Sequence, residues 1–592
     1  MEKFLQFGKK YFTASANLVF ILAIFIIGFQ LIQSGFSYFQ ASTFTFWYKS
    51  LNLIFSFYAC LISLYLFAIS DTLFIRIART FFLIVSLAYL FMSLFWFFGL
   101  LHDQFDVESY RSFLGLFVGL IGISFKVSAV GDTKIHPALI FVLSFFLLIL
   151  FGTFALLLPE AANKDINIIQ ALFTATSAVT VTGLAVLDTG KDFTFLGQTI
   201  IVVLIQLGGL GVLTVTNIFA LVFKSSSSFR NRFMLNEMIK ELDNSKTFQT
   251  LFKIIFITFL VELVGAILIY LSIHTKNVSD NPIFFSVFHA VSAFCNGGFS
   301  TMTNSLYEES VRFNYFLQIV ICWLIITGGL GYTVMINHYV QIKNFILTTI
   351  SRWKMSGFQY RRELQRTSTN SRIVLVTTGI LLLAGTLLFM VSEYNGVLKE
   401  HGLFGKIIVS FFNSTTPRTA GFNNVNMAEL GIPAIMLTMA LMWIGASPGS
   451  TGGGIKTTTF TITILNLWNQ IKGQDKLIIK KREIPHFAVN QVNAVVILSI
   501  FAVSFGTFLL AMFEPKILFK DLLFEIISAY STVGLSVGIT PALSDKSHIT
   551  LIVIMFLGRV SFLTFLIALF NRIFGEEKGV EPYYPKENVF IN

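Results

Sequence analysis

The chain has 592 residues, of which 55% are hydrophobic and only 12% are charged. Soluble domains carry about 25% charged residues, so this composition excludes a soluble globular protein of this size. The formal net charge of +11 does not indicate nucleic-acid binding, because the lysines and arginines fall in short loops between apolar segments. That distribution is typical of a multi-pass membrane protein.

Four apolar segments occupy the first part of the chain, at residues 17–36, 51–70, 81–101 and 113–130. Each is close to the 20 residues that a helix needs to cross a hydrocarbon layer of roughly 30 Å. They predict an N-terminal extension of about four transmembrane helices. Basic residues before the first segment, after the second and after the fourth alternate with linkers poor in Lys and Arg, which favours a cytoplasmic position for both ends of this block.

From residue 135 onward, one unit occurs four times: a long apolar helix, a short half-helix, a turn closed by glycine, and a second helix. The half-helix and turn read FTATSAVTVTGL, FHAVSAFCNGGF, FFNSTTPRTAGF and FEIISAYSTVGL. An internal repeat of this kind decides the architecture. The predicted fold is therefore an all-α polytopic membrane protein with four pseudo-repeats around a central pore. The predicted divisions are an extension at residues 1–134, pore repeats at 135–254, 255–372, 373–486 and 487–575, and a tail at 576–592.

Loops rich in Lys and Arg connect the repeats, at residues 224–253, 343–372 and 472–482. The positive-inside distribution places these loops and both chain termini in the cytoplasm. The glycine turns then lie near the outer side, together with carboxylates such as Asp188 and Asp192. An acidic vestibule would concentrate cations, although scattered carboxylates are also ordinary surface groups.

The four turns have the composition of an ion filter. Lipid cannot satisfy peptide groups, so non-helical backbone at membrane depth must be buried in protein or line an aqueous path. Glycine permits unusual dihedrals, and small neighbours let four strands approach so that carbonyls can replace the hydration shell of a monovalent cation. A small-residue packing face is the alternative for one stretch alone. The residues predicted to bind the ion are Thr180, Val181, Thr182, Gly183, Cys295, Asn296, Gly297, Gly298, Thr419, Ala420, Gly421, Ser531, Thr532, Val533 and Gly534.

The second helix of the third repeat contains GASPGSTGGGIK at residues 445–456. Its glycines and proline cannot continue a helix, which predicts a break inside the membrane. A nucleotide-binding loop is the alternative, but the P-loop pattern is absent and no soluble strand–helix unit surrounds the segment.

Two charged residues lie within predicted transmembrane helices. Arg559 falls in the middle of the last helix, where an ionised guanidinium costs about 3 kcal/mol unless it meets water, a carboxylate or carbonyls. A snorkelling side chain is the alternative. Glu262, in the first helix of the second repeat, is predicted to position a helix break or to pair with a basic group. Packing or a bend explains the glycine pairs at residues 208–211 and 328–331.

With the turns TVTGL, CNGGF, RTAGF and STVGL, the glycine-rich break and Arg559, residues 135–575 resemble the Trk/Ktr/HKT superfamily of potassium transporters. The pattern is closest to the membrane subunit of bacterial Ktr and Trk systems. The resemblance implies that the chain is not an enzyme but the pore-forming subunit for K+ uptake across the plasma membrane, with K+ at the filter residues. It implies that the break is a gating loop below the filter and that Arg559 is an electrostatic barrier contacting it. The implied gate residues are Gly449, Gly452, Gly453, Gly454, Lys456 and Arg559.

In the plant branch of the superfamily, serine in place of the first filter glycine accompanies Na+ preference, so Gly183 favours K+. The resemblance also implies a homodimer on a ring of cytosolic, nucleotide-binding regulatory subunits similar to KtrA or TrkA. This chain lacks a dinucleotide-binding fingerprint, so no cofactor is expected in it and a separate polypeptide would bind the nucleotide. The loop at residues 343–372 and the tail are candidate docking surfaces. The leading extension lies outside the family pattern.

Two other classes of function fit less well. A membrane-embedded enzyme would need clustered His, Asp or Cys residues, but the eight histidines are scattered and only His289 lies in a filter-like segment. A secondary transporter with inverted repeats would show broken helices in paired halves, whereas these four units run in the same order. Whether Na+ or protons assist transport stays open.

Overall fold

A computed structural model provides the fold. Apart from isolated helical positions, it describes residues 42–68, 73–98, 137–211, 247–274, 278–332, 334–337, 369–474, 476–479 and 482–563. Within these ranges the regular secondary structure is helical apart from one short antiparallel hairpin, β1 (Ile478–Ile479) and β2 (Arg482–Glu483). The predicted all-helical class is confirmed.

Two helices of the N-terminal extension are described, α1 (Ser42–Ala68) and α2 (Leu73–Phe97). Buried between them, the Tyr89 hydroxyl donates a hydrogen bond of 2.6 Å to Asn52 Oδ1. Both helices begin earlier than the predicted apolar segments at residues 51–70 and 81–101. Their first turns are amphipathic or basic, so hydrophobicity alone does not include them in these segments. Nearly all of the segments predicted at residues 17–36 and 113–130 falls outside the described residues.

Beyond the extension, the described elements follow the same order in four successive stretches: a long helix, a short helix, a turn and a second helix. The first stretch contains α3 (Pro137–Leu156), α4 (Ile168–Val179) and α5 (Phe195–Leu210). The second contains α6 (Thr247–Ile273), α7 (Pro282–Phe294) and α8 (Tyr315–Gly329). The third contains α9 (Thr369–Ser392), α10 (Leu403–Thr415), α11 (Ile432–Trp443) and α12 (Thr457–Ile471). The fourth contains α13 (His486–Phe513), α14 (Phe519–Tyr530) and α15 (Asp545–Val560).

The outer faces of the long helices are apolar. Three described helices, Lys253–Ile273 within α6, α9 and α13, are each long and apolar enough to cross a membrane, and about a third of each is buried inside the protein. The rest includes large exposed side chains such as Leu383, Val391 and Phe508. Exposing this much apolar surface to water is energetically unfavourable, so the hydrocarbon layer of a membrane must cover these faces.

The second helices of the first, second and fourth repeats share one packing contact. In each, a glycine packs against the carbonyl oxygen of the last residue of that repeat's short helix. A Cβ atom added to the glycine would overlap this oxygen. The pairs are Gly208 with Val179, Gly328 with Phe294, and Gly558 with Tyr530. Three residues later the helix is interrupted at a residue with positive φ, which is Gly211, Gly331 or Ser561. The glycine pairs of the first two repeats are thus explained by this close packing and by the helix end that follows it. Gly558 is the equivalent glycine of the fourth repeat.

We expect Gly328→Ala to destabilise the protein by about 2 kcal/mol, because the new methyl group must displace the Phe294 carbonyl at the end of α7. The measurement is the thermal unfolding midpoint of detergent-purified protein. Gly379→Ala in α9 is the matched control, since no atom lies within 4 Å of its Cβ position. There, alanine favours the helix and should leave the midpoint unchanged or slightly higher. Equal losses in both variants would contradict the packing explanation.

Candidate ion pathway

The four short helices α4, α7, α10 and α14 are buried toward their C-termini and end where the glycine turns begin. Side-chain caps fix the starts of two of them: Asn281 Oδ1 accepts from the Phe284 N–H of α7 at 3.1 Å, and Asn167 forms a reciprocal capping box with Gln170 of α4. A helix C-terminus carries roughly half a negative charge. The ends of the four helices therefore favour a cation beside the turns.

The turns share an unusual backbone. Both the closing glycine and the residue two places before it have positive φ, while the residue between them does not. This alternation directs successive carbonyl oxygens to the same side, as a carbonyl-lined ion filter requires. The pairs are Val181 and Gly183, Asn296 and Gly298, Thr419 and Gly421, and Thr532 and Gly534. A left-handed conformation costs a residue other than glycine roughly 1–2 kcal/mol, so the surrounding fold must maintain it.

The turns form a closed circle, which we call the glycine ring: Gly183, Gly298, Gly421, Gly534 and the residue before each. A Cβ atom built on each glycine would point at the carbonyl oxygen preceding the next glycine, at 2.6 Å for Gly183 and 2.8 Å for Gly298. The opposing residues, in order, are Gly297, Ala420, Val533 and Thr182. Because the last contact returns to the first turn, all four repeats contribute to one ring.

A hydroxyl group near the end of each short helix holds the turn. Ser177 Oγ accepts from the Gly183 N–H at 3.0 Å and donates to the Leu184 carbonyl at 2.7 Å. Equivalent bonds join Ser292 to Phe299 at 2.8 Å, Ser528 to Gly534 at 3.1 Å, and Thr416 to Phe422 at 2.6 Å.

The third turn is one residue shorter than the others. Its hydroxyl residue, Thr416, stands five places before the closing glycine, whereas Ser177, Ser292 and Ser528 stand six places before theirs. The backbone agrees, because the Ala420 N–H donates to the Thr416 carbonyl at 3.0 Å. Aligning the four sequences on their glycines does not reveal this shift.

Arg418, the charged residue of the third turn, lies behind the ring. Its side chain is buried, and Nη2 lies 3.4 Å from Thr378 Oγ1 on α9. The charge is thus directed toward α9.

A cavity of about 410 Å³ lies at the ring. Its lining includes the four ring glycines, Ser300, Ser536 and Asp188. The Asp188 carboxylate accepts from the backbone N–H groups of Gly190 and Lys191 at 2.8 and 3.2 Å, so it orders its own loop. Asp192 pairs with Lys164 at 2.9 Å and is not part of this lining.

Residues 444–456, which we call the crossing loop, separate α11 from α12 and lie against the turns. A Cβ atom on Gly452 or Gly453 would overlap the side chain of Thr419 or Thr532. Thr451 Oγ1 donates to the Phe294 carbonyl at 3.2 Å. The loop therefore touches the third and fourth turns and the residue just before the second.

The two ends of the crossing loop are tied together. The Gly445 N–H donates to the Ile455 carbonyl at 2.9 Å, and the Thr457 N–H donates to the Ala446 carbonyl at 3.2 Å. Within the loop, Lys456 Nζ donates to the Gly452 carbonyl at 2.5 Å. Gly449 and Gly454 have positive φ, which a right-handed helix does not contain. The segment is therefore a loop with a defined conformation and not a bent helix.

Arg559 links the crossing loop to the first repeat. Nη1 donates to the Thr451 carbonyl, and Nη2 donates to the Gly208 carbonyl at 2.7 Å. The sequence places Arg559 within a continuous span, but α15 ends at Val560 because Ser561 has positive φ. The guanidinium therefore sits in the last turn of a helix and is bonded to two backbone carbonyls inside the protein.

Glu262 differs from its prediction. Helix α6 is continuous through this residue, and no basic partner of Glu262 is found among the described residues. Instead its carboxyl group accepts from Gln206 Nε2 at 3.3 Å and lies 3.8 Å from the Cys295 thiol. An amide and a thiol satisfy the buried carboxyl group next to the second turn.

These features together define a multi-pass membrane protein in which four glycine turns gather around one candidate cation pathway. Residues 135–574 match the family model TrkH, described as a cation transport protein. The chain belongs to this family.

Related proteins match most of the chain. It is 34% identical over 463 residues to Ktr system potassium uptake protein B of Bacillus subtilis, which covers 77% of this chain and 97% of that protein. It is 32% identical to the potassium/sodium uptake protein NtpJ of Enterococcus hirae, with 77% and 98% covered.

The fold is similar to the solved structure of the potassium transporter TrkH from Vibrio parahaemolyticus. The TM-score is 0.58 at 17% identity, with 88% of this chain and 97% of that chain covered. Residues 135–592 are only about three quarters of this chain. The structural match therefore extends into the leading extension, which sequence comparison with the Ktr pattern had left out.

The shorter third turn predicts which of two adjacent threonines holds it. Thr416→Val removes the donor to the buried Phe422 carbonyl and should cost about 1–3 kcal/mol. Thr415→Val removes a bond to the Phe411 carbonyl within α10 and a hydrogen bond with the Cys322 thiol, neither of which reaches the turn, and should cost less. Thermal unfolding of both variants measures the difference. The reverse ranking would show that the third turn has the same register as the other three.

Proposed function

We propose that this chain is the pore-forming subunit of a Trk/Ktr-type system that takes up K+ across the plasma membrane. The observation that carries the proposal is the glycine ring, in which four turns with the same alternating backbone close around one axis. Family membership and the potassium uptake function named for the relatives support the same conclusion. K+ enters the outer cavity, exchanges water for backbone carbonyls, and leaves through the inner side of the pore.

We assign ion binding to the backbone of the turns. Replacing the hydration shell of a monovalent cation requires several carbonyl oxygens without a fixed charge that would trap the ion. The negative ends of α4, α7, α10 and α14 add a favourable field at the same place. The residues concerned are Thr180 to Gly183, Cys295 to Gly298, Thr419 to Gly421, and Ser531 to Gly534.

We further propose that the crossing loop and Arg559 form the gate, and that the described conformation is closed. The loop and Arg559 together contact residues of all four repeats next to the turns. Opening requires loss of the two Arg559 bonds and of the Ser447 hydroxyl bond to the Gly329 carbonyl at 3.0 Å. Bonds from a charged guanidinium contribute about 1.5–3 kcal/mol each, and a neutral hydroxyl bond about 0.5–1.5 kcal/mol, so a regulator can supply the energy of opening.

The remaining assignments follow from family resemblance and charge distribution. The basic loops and both termini lie in the cytoplasm, and the chain forms a homodimer in the bilayer. A separate cytosolic ring of nucleotide-binding subunits regulates it by contacting the loop at residues 343–372 and the tail. Deleting residues 576–592 tests the docking assignment, since nucleotide response in the reconstituted complex should weaken.

Gly183→Ser tests the filter. Its Cβ would lie 2.6 Å from the Gly297 carbonyl oxygen, so the ring must widen or tilt, and we expect the K+/Na+ selectivity ratio to fall by about tenfold, which corresponds to 1.4 kcal/mol. The measurements are growth of a K+-uptake-deficient strain and Rb+ and Na+ fluxes in proteoliposomes. Gly402→Ser, at the N-cap of α10 with no atom within 4 Å, is the control. Unaltered selectivity in Gly183→Ser would overturn the filter assignment.

Arg559→Ala tests the gate. Loss of the guanidinium removes both carbonyl bonds and a positive charge beside the pathway, so we expect maximal K+ flux without regulator to rise several-fold. Lys546→Ala removes an equal charge from the first turn of the same helix and should leave flux unchanged. Flux of Arg559→Ala at or below that of the wild type would show that Arg559 is not a barrier.

A further inference from the structure

One position on each short helix lies at an equivalent height behind the glycine ring. It stands nine residues before the closing glycine in three repeats and eight before it in the third, whose turn is one residue shorter. All four side chains are buried. The residues are Thr174, His289, Asn413 and Glu525. The same place in the fold thus carries four different chemical groups.

In three repeats this side chain bonds to the segment that follows the ring glycine. His289 Nε2 and Ser300 Oγ lie 2.9 Å apart, and Asn413 Nδ2 donates to Asn424 Oδ1 at 2.8 Å. The Glu525 carboxyl group accepts from the hydroxyls of Ser536 and of Thr540, the latter at 2.9 Å. We call these three contacts the struts.

The first repeat has no such strut from this position. Thr174 Oγ1 donates to the Gln170 carbonyl of its own helix at 2.9 Å. The residue two places after Gly183 is Ala185, whose side chain cannot form a hydrogen bond. The struts are therefore not a general requirement for folding a turn of this type, because the first turn has the same backbone without one.

Two of the struts end at the wall of the outer cavity. Ser300, Ser536 and Thr540 line that cavity together with the ring glycines. The Glu525 strut is the most extensive, because both carboxyl oxygens are used and Thr540 Oγ1 also lies 3.0 Å from Ser536 Oγ. A wholly buried carboxyl group held in this way fixes where the fourth turn leaves the ring.

We propose that His289, Asn413 and Glu525 are positioning residues, which hold the outward ends of three turns and so maintain the ring at the width that suits K+. Glu525 has the largest effect of the three. This inference rests on the proposed function. A turn that is released at its outer end can move toward the axis and accommodate a smaller ion, so the expected consequence is a loss of discrimination and not merely a loss of flux.

The experiment compares Glu525→Ala, Glu525→Gln, Ser536→Ala and Thr174→Val. Rb+ and Na+ uptake are measured in proteoliposomes as half-saturating concentration and maximal rate. We expect Glu525→Ala to lower the Rb+/Na+ selectivity ratio about tenfold and Ser536→Ala to lower it about threefold, mainly through a higher half-saturating Rb+ concentration. Glu525→Gln should recover most of the ratio, because an amide serves as the strut in the third repeat. Thr174→Val, the matched control at the same height, should behave as the wild type.

Size-exclusion profiles and unfolding midpoints identify variants that fail to fold. If Glu525→Ala does not fold, the Rb+/Na+ selectivity ratio of Ser536→Ala tests the inference instead. Ser536 lines the cavity, and its truncation leaves no large void. Wild-type selectivity in folded Ser536→Ala and Glu525→Ala, or an equal loss in Thr174→Val, would overturn the inference. Absence of Rb+ uptake by the wild-type protein would instead overturn the proposed function, so the two failures are distinct.

Discussion

Each ring glycine lies against a carbonyl oxygen of the next turn, and this contact continues from repeat to repeat until it returns to the first. No side chain fits between these backbones, so the width of the ring is set by peptide groups in direct contact. The rest of the protein positions and surrounds these backbones. Short helices bring four chain segments to one place, and the long helices around them present apolar faces that suit hydrocarbon.

The ring is not a relaxed structure by itself. Val181, Thr419 and Thr532 are β-branched residues with positive φ, a conformation that L-residues rarely adopt. The hydroxyl bonds from Ser177, Ser292, Thr416 and Ser528 offset this strain, as does the packing of Gly208, Gly328 and Gly558 against the ends of the short helices. Strain in the glycine ring is thus balanced by small, closely packed groups one layer outside it.

The sequence predicted those features that depend on local chemistry. Four glycine-closed turns after short apolar helices, and a break rich in glycine, can be inferred because glycine and proline limit what a backbone can do in a membrane. Features that depend on tertiary contacts were missed. The one-residue shift at Thr416 is invisible when turns are aligned on glycine, and the partners of Glu262 come from two other segments of the chain. Arg559 was predicted within a span, but Ser561 ends the helix just beyond it.

The position of Arg559 has a consequence for how such a pore is built. The residues that follow Gly208, Gly328 and Gly558 are Gly209, Gly329 and Arg559, so equivalent quarters of the molecule carry two glycines and one guanidinium. An assembly of four identical subunits would have to place four like charges at this level, and their mutual repulsion would oppose assembly. Fusing the quarters into one polypeptide removes that restriction. Each quarter can then differ from the others, and a single guanidinium can occupy this level of the fold without like charges opposite it.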